Sequence, residues 1–333
     1  MLKGAIVGFG EVARYGHWPA YASSDEVEIV AVVDRTAARR DLALRLLPRV
    51  ATFATLDDLA RATGPTIDFI DICTPPALHV DPLVAALGRR WHVLCEKPLL
   101  LEPAIVESVR QRALAGSLAV VPVHNWKYAP ILRRTTALMR EGAIGTLRRV
   151  RIETCRLCAA PTVEGNGPNW RRDLAIAGGG ILMDHGWHAV YLALQWFDAR
   201  PTAVAASLRW PVAGGVEDEA TVALSFPSGE TLITLTWNGN QRRNTMRLTG
   251  DAGELFVDDD TLHVDGAFSE RIGFCDALSD GSHHPDWFAA MLPDVVAAFK
   301  RPWLAHRGFE EAVACLSVIR QAYGSAAVMS GAR

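Results

Sequence analysis

Asp184 and His188 lie four residues apart in Gly178-Gly179-Gly180-Ile181-Leu182-Met183-Asp184-His185-Gly186-Trp187-His188, a spacing that puts both on one face of a helix, about one turn apart. The segment stays apolar nearly all round through Phe197, so this helix is expected to be buried. An acid and an imidazole inside such a helix form either a self-satisfied core pair or a proton-handling pair. A metal site would need third and fourth ligands at suitable spacing; none is evident, and no metal is expected. His185 points to another side of the same helix. A second pair of charges, Glu96-Lys97, follows the apolar run Trp91-His92-Val93-Leu94-Cys95. There the alternatives are a surface ion pair and a lysine delivered to a strand's carboxyl edge for use. Cys155 and Cys158 form a C-x-x-C without a second ligand pair or a thioredoxin-like context, so they are expected to be buried or half-buried strand thiols.

What that lysine could serve is suggested near the start of the chain. Gly8-Phe9-Gly10-Glu11-Val12-Ala13 is a G-x-G-x-x-A placed after the strand run Ala5-Ile6-Val7 and before a helical stretch. The first glycine permits a tight turn, the second lets backbone approach a pyrophosphate, and the small third residue lets helix and strand pack closely. Helix amides from Glu11 and Val12 onward would face the phosphates. The next strand ends in Asp34, whose carboxylate can accept from both adenosine ribose hydroxyls and would repel a 2′-phosphate. NAD is therefore expected over NADP, with Arg35 as the one neighbour that could instead reach a 2′-phosphate or stay solvated. Beside a nicotinamide ring, Lys97 could hold a reacting hydroxyl, its pKa depressed by burial and by the ring's positive charge. Thr74-Pro75-Pro76 leaves another buried strand run at the same edge, its prolines setting the loop. His79, just after it, reads chiefly as a locally satisfied residue at a helix start.

The elements that must position these residues fall into two patterns. From residue 1 to about 121, β-branched runs at 5–7, 27–33, 67–72, 91–95 and 118–121 alternate with helical stretches at 11–22, 36–46, 78–88 and 102–115, the rhythm of βαβ units. This predicts an α/β fold with a doubly wound parallel sheet. Beyond residue 122 the order is a helix at 130–141, a strand at 146–157, a helix at 180–197, and strands at 202–210, 218–226, 231–238 and 243–249. Pro227-Ser228-Gly229-Glu230 reads as a hairpin turn, so antiparallel sheet is predicted. Helices at 286–300 and 308–328 close the chain. Two domains are expected, 1–121 and 122–333, packed with a shared cleft.

Composition narrows the class. The 333 residues carry a formal charge of −3, and their basic residues occur in pairs rather than in a long stripe, so nucleic acid is not expected as a partner. No window reaches the roughly 18 apolar residues of a membrane span. Met1-Leu2-Lys3-Gly4-Ala5-Ile6-Val7 begins a strand at once, which argues against a secretory signal and for a cytoplasmic protein with reduced cysteines.

In chain order, the G-x-G-x-x-A, the Thr74-Pro75-Pro76 loop, Glu96-Lys97-Pro98, Asn125 in Val123-His124-Asn125-Trp126, the Gly178-Gly179-Gly180 turn and Asp184-x-Gly186-x-His188 make the chain resemble the glucose-fructose oxidoreductase and inositol dehydrogenase (Gfo/Idh/MocA) family over almost its whole length. The resemblance implies a Rossmann domain followed by an α/β domain with a large open, mainly antiparallel sheet, and a homodimer or homotetramer. It implies Lys97, Asp184 and His188 as the catalytic set. Lys97 and His188 would contact a substrate hydroxyl, His188 is favoured as base for its near-neutral pKa, and Asp184 would orient His188 or a neighbouring hydroxyl. Gly8, Gly10, Glu11, Val12, Ala13, Asp34, Arg35, Thr74, Pro75, Pro76, His79, Glu96 and Lys97 are assigned to the cofactor. Asn125, Trp126, Lys127, Trp170, Arg171, Arg172 and His185 are assigned to the substrate. Arg171, Arg172 and Lys127 would suit a carboxylate or phosphate on that substrate, or else are solvated. The expected reaction is hydride transfer between NAD and a secondary alcohol of a sugar, cyclitol or related polyol. Two alternatives stand beside it: a glycoside hydrolase or lyase with a transient NAD redox step, and a non-catalytic cofactor-binding regulator.

Overall fold

The computed structural model describes residues 1–47, 49–62, 66–161 and 169–328. These divide into two compact units, Met1–Asn125 with His283–Val313, and Trp126–Ser282 with Ala314–Arg333. The first boundary falls after Asn125. The second part is not continuous, however, because the helix Pro285–Lys300 belongs to the N-terminal unit. Its contacts with the helix Trp18–Ala22 explain this: Phe288 is fully buried and meets Tyr21 edge-on. Sequence order alone does not show which sheet a distant apolar face will cover.

The N-terminal unit holds strands β1 (Leu2–Val7), β2 (Val27–Val33), β3 (Ala51–Phe53), β4 (Phe69–Ile72), β5 (His92–Cys95) and β6 (Val120–Pro122). All pair in parallel, in the order β3-β2-β1-β4-β5-β6. The strand order reverses direction at β1, where β2 lies on one side and β4 on the other, so the carboxyl ends of β1, β2 and β4 surround the crevice used by ligands of doubly wound sheets. Ala5, Ile6, Ile70, Ile72, Val93 and Leu94 are fully buried, as continuous apolar runs in a two-sided sheet require. Short β3 and the helix Leu56–Arg61 have no counterpart in the sequence reading; three residues give periodicity too little to work with.

The second unit is built on a nine-stranded sheet. Its strands are β7 (Leu147–Cys155), β8 (Ala203–Arg209), β9 (Glu219–Phe226), β10 (Gly229–Thr236), β11 (Arg243–Gly250), β12 (Glu254–Asp258), β13 (Thr261–Asp265), β14 (Ser269–Gly273) and β15 (Ala327–Val328), in the order β14-β13-β12-β11-β7-β10-β9-β8-β15. Pairing is antiparallel except for β7 with β10 and β8 with β15, so the sheet is mixed. Pro227 and Ser228 form the turn between β9 and β10. One face presents Val150, Ile152, Ile233, Leu235, Met246 and Leu248 to the core, covered by the helix Trp187–Phe197; Arg149, Arg151 and Glu153 alternate on the exposed side. Strands β12 to β14 lay outside the sequence reading; each is only five residues long, although β12 and β13 do alternate buried and outward residues. Cys155 is half-buried at the end of β7, as expected. Cys158 is exposed beyond that strand and neither is in a disulfide, which corrects its placement as a strand thiol.

Two helices expected to carry site residues start differently from an ordinary α-helix. The stretch expected at 11–22 opens as a π-helical turn, Val12–His17, and the one expected at 180–197 opens as another, Leu182–Gly186. Such turns recur at functional sites, and no spacing of apolar residues announces them.

Candidate functional site

Gly8 follows β1 with φ +89°, the left-handed region that favours glycine. A Cβ there would come within 2.9 Å of Thr74 Cγ2 and 3.1 Å of the Cys73 backbone, so a side chain would push the loops after β1 and β4 apart. A Cβ on Gly10 would meet no heavy atom within 4 Å. The backbone is thus bare on that side, as close approach by a pyrophosphate requires. At the end of β2, Asp34 is buried, and its Oδ2 accepts the Phe9 N–H at 2.8 Å while Oδ1 accepts Thr36 N–H at 2.8 Å. The acid is thereby fixed against the glycine loop. Arg35 is exposed. The cations at the acid are instead Arg39, 3.8 Å from Asp34 Oδ2, and Arg40, which donates to the Asp34 carbonyl at 2.7 Å. The sequence reading missed both; their only signal was membership of the helix that follows β2. This bare turn with an acid beside it fits a dinucleotide.

Glu96 and Lys97 leave β5 half-buried, and Glu96 Oε2 accepts the Lys97 N–H at 3.0 Å. His17 lies behind them. Its Nδ1 is 2.7 Å from Asp71 Oδ2 and its Nε2 is 3.1 Å from Glu96 Oε1, and its ring stacks on Phe288 at 3.9 Å. Tyr21 Oη donates to the same Asp71 oxygen at 3.0 Å, and Cys73 Sγ lies 3.4 Å from His17 Nδ1. Burial disfavours a charged imidazole here, but the charge of Asp71, aided by Cys73, outweighs it and holds His17 well above its ordinary value. Burial likewise works against the Glu96 carboxylate, yet its bond and charge interaction with His17, and the Lys97 charge, hold it below the usual range. His17, Asp71 and Cys73 bring ligand-type atoms within 4.8 Å of one another, at separations that are those of hydrogen bonds. Neither His17 nor Asp71 was among the sequence candidates, because each reads as an ordinary member of an element interior.

His79 takes a structural place. It is fully buried, with Nδ1 2.9 Å from the Pro98 carbonyl and Nε2 2.8 Å from the Thr74 carbonyl. The ring thus lies between the loop after β4 and the loop after β5, facing a main-chain carbonyl of each.

In the second unit, Glu217 anchors the start of the helical segment that carries Asp184. Its carboxylate accepts from Gly180 N–H, Leu182 N–H and Tyr323 Oη, each at 2.9 Å. A Cβ on Gly180 would sit 1.8 Å from the Glu217 carbonyl oxygen, so this position admits only glycine. Asp184 Oδ2 lies 3.6 Å from Arg171 Nε and 3.5 Å from His185 Nδ1; Arg171 also stacks over Trp170, 4.3 Å from the ring centre. Arg172 is exposed. His188 is buried, its Nδ1 2.8 Å from Tyr191 Oη and its ring stacked on Trp126 at 4.8 Å. Lys127 Nζ lies 5.4 Å from the Tyr191 ring centre. Contacts therefore join Trp126, Lys127, Tyr191 and His188, and others join Trp170, Arg171, Asp184 and His185. Tyr191 was missed, although three residues after His188 is a helical neighbour. Arg156 was missed too. It is buried, donating to Asn244 Oδ1 at 3.1 Å, and burial together with the Arg242 charge pushes it down to about 10, against the pull of Asp184 and Asp259.

Comparison with known proteins agrees with this geometry. Residues 2–121 match the oxidoreductase family with an NAD-binding Rossmann fold, and residues 132–256 match the GFO/IDH/MocA C-terminal domain. Among curated relatives, D-glucoside 3-dehydrogenase of Escherichia coli (strain K12) is 29% identical over 197 residues, covering 58% of this chain and 53% of its own. The chain thus spans about half the length of that relative. The NADP(+)-linked scyllo-inositol 2-dehydrogenase IolU of Bacillus subtilis (strain 168) is 26% identical over 234 residues, 70% of this chain and 69% of its own. A solved structure of GenD2 from gentamicin A biosynthesis, in complex with NAD, superposes with a TM-score of 0.79 at 25% identity, covering 97% of this chain and 93% of that one. A Rossmann sheet, a mixed second sheet and both family matches lead to one statement: this chain belongs to the Gfo/Idh/MocA family of oxidoreductases, with an NAD(P)-binding Rossmann domain.

Proposed function

We propose that this chain is an NAD-dependent dehydrogenase moving a hydride between nicotinamide and a secondary alcohol of a sugar, cyclitol or related polyol. The observation that carries the reading is His188, a buried imidazole held at Nδ1 by Tyr191 and stacked on Trp126, with Lys127 over the same Tyr191 ring and an acid four residues earlier in sequence. An imidazole so oriented can take the hydroxyl proton near neutral pH. Lys97 would hold the alcohol oxygen, since an ammonium stabilises the charge that develops there. The bound dinucleotide supplies hydride chemistry that no side chain can. Gly8, Gly10 and the first helical turn would carry its pyrophosphate, with Glu11, Val12 and Ala13 in that turn.

Asp34 supports NAD over NADP, its carboxylate aimed by two backbone N–H groups; Arg39 and Arg40 are the residues that would admit a 2′-phosphate if it were tolerated. Arg171 directs its charge to Asp184, which favours a neutral polyol over an acidic or phosphorylated one. Asn125, Trp126, Lys127, Trp170 and His185 complete the proposed substrate side, and the tryptophans offer faces for a pyranose or cyclitol. A homodimer or homotetramer and a cytoplasmic setting belong to the same reading. Among the described residues no helix is long and apolar enough to cross a membrane.

The test is NADH fluorescence across a panel of neutral sugars, cyclitols, uronates and sugar phosphates, with NAD and NADP in parallel. Turnover on a neutral polyol with NAD supports the reading. NADH binding without turnover on any member would favour the regulator, and glycoside cleavage without net NADH the transient-redox enzyme.

A further inference from the structure

We propose that His17 is a positioning residue for Lys97: by bridging Asp71 and Glu96 it holds the loop after β5 against the end of β4, and so sets where the Lys97 side chain begins. The inference rests on Lys97 as the substrate-facing lysine. Three observations support it.

The first is connectivity. Glu96 uses Oε1 toward His17 Nε2, 3.1 Å, and Oε2 to accept the Lys97 N–H, 3.0 Å. The carboxylate is thus a two-ended strut between a fully buried ring and the main chain of the lysine.

The second is proton arithmetic. Both ring nitrogens of His17 face carboxylate oxygens, and a neutral imidazole carries only one N–H. The bridge closes at both ends only when an additional proton is present, and a doubly protonated ring between two carboxylates satisfies it. Asp71 Oδ1 is buried with no hydrogen-bond partner among the described residues, so the charge of Asp71 depends on what Oδ2 meets. The groups facing the ring are Asp71 and Cys73 at the end of β4 and Glu96 after β5; Tyr21 reaches it through Asp71, Lys97 through Glu96, and the helix Pro285–Lys300 contributes apolar Phe288. The shift of His17 above its ordinary value agrees with that count.

The third is the contrast with His79, which lies between the same two loops and faces the main-chain carbonyls of Thr74 and Pro98. Burial pushes that ring below its ordinary value. A neutral His79 ring carries one N–H and so donates to only one of those two carbonyls, whereas His17 reaches the side chain of Glu96, the residue before Lys97.

The test uses the full chain, with NADH binding as the check that the dinucleotide unit is intact. In the wild type, nitrogen-15 spectra should show both ring nitrogens of His17 protonated at neutral pH. In His17→Gln, amide hydrogen exchange at Lys97 should quicken about tenfold or more while NADH affinity stays within about twofold. Glu96→Ala removes the same strut at its less buried end and should quicken that exchange equally; Glu96→Gln keeps an acceptor for the Lys97 N–H and should restore protection to near the wild-type level. Exchange at Lys97 unchanged in both His17→Gln and Glu96→Ala, or a singly protonated His17 in the wild type, would overturn the proposal. Lys97→Ala separates the two readings. If it keeps turnover while exchange still answers to His17, the catalytic assignment fails and the positioning stands. If it abolishes turnover while exchange ignores His17, the reverse holds.

Discussion

The two segments proposed to do chemistry are held by opposite means. Lys97 is tethered through ionisable groups, with Glu96 and Asp71 on either side of His17. Asp184 is tethered through Glu217, one carboxylate that accepts three neutral donors, Gly180 N–H, Leu182 N–H and Tyr323 Oη. The first arrangement is sensitive to protonation, because its geometry needs a particular number of protons. The second is sensitive to volume, because Gly180 leaves no room for a methyl group against the Glu217 backbone. The first segment is thus open to disturbance through charge and the second through packing.

Removing the tethered groups themselves should separate the two segments most sharply. Lys97→Ala is expected to lower turnover by about a thousandfold with NADH affinity nearly unchanged, read by steady-state kinetics beside fluorescence titration; equal loss of both would make Lys97 structural. The packing tether comes next. Glu217→Ala leaves buried N–H groups unpaired and is expected to cost about 3 kcal/mol, and Gly180→Ala at least as much through overlap, both measured by denaturant unfolding. Tolerance of Gly180→Ala would mean that the close approach relaxes.

A smaller effect is expected at the cofactor. Asp34→Ser should shift the NAD to NADP preference by about tenfold toward NADP, measured as a ratio of kcat/KM, and an unaltered ratio would remove Asp34 from that choice. The smallest is the pH response of the charged tether. A folded-state value above the unfolded one means that His17 takes up a proton on folding, so its stabilisation is complete below the unfolded value of about 6.5 and fades as pH rises through the folded one. Asp71→Asn removes the charge that raises it, and thermal unfolding followed from pH 6 upward, in about unit steps, should show a flatter decline than in the wild type. Parallel declines would mean that Asp71 does not set the charge of His17.

How much of this was legible beforehand differs between the two ends. The G-x-G-x-x-A turn and Asp34 at the end of the next strand could be placed because a turn and a strand end fix geometry within short stretches. Asp184 and His188 were placed on one helical face by their spacing, but the π-helical turn beneath them, the Tyr191 partner of His188 and the Arg171 neighbour of Asp184 could not be read. His79 illustrates the limit. Its type and position suit a ligand contact, while the two main-chain carbonyls it faces, those of Thr74 and Pro98, come from loops on different strands. His17 shows the converse: nothing in Val12–His17 marks it, and it gains significance only when Asp71 and Glu96 arrive from β4 and β5.

The order of residues alone determined the α/β class, the parallel rhythm of the first 121 residues, the dinucleotide turn and the run of later strands, since each follows from hydrophobic period and turn chemistry within a short window. Tertiary structure alone decided that the helix Pro285–Lys300 joins the N-terminal unit, that β7 lies parallel to β10, and which buried charges meet. Those outcomes depend on contacts between residues tens to hundreds of positions apart, whose energies are set by burial and by the partner a group finds, and neither is a property of any single stretch of chain.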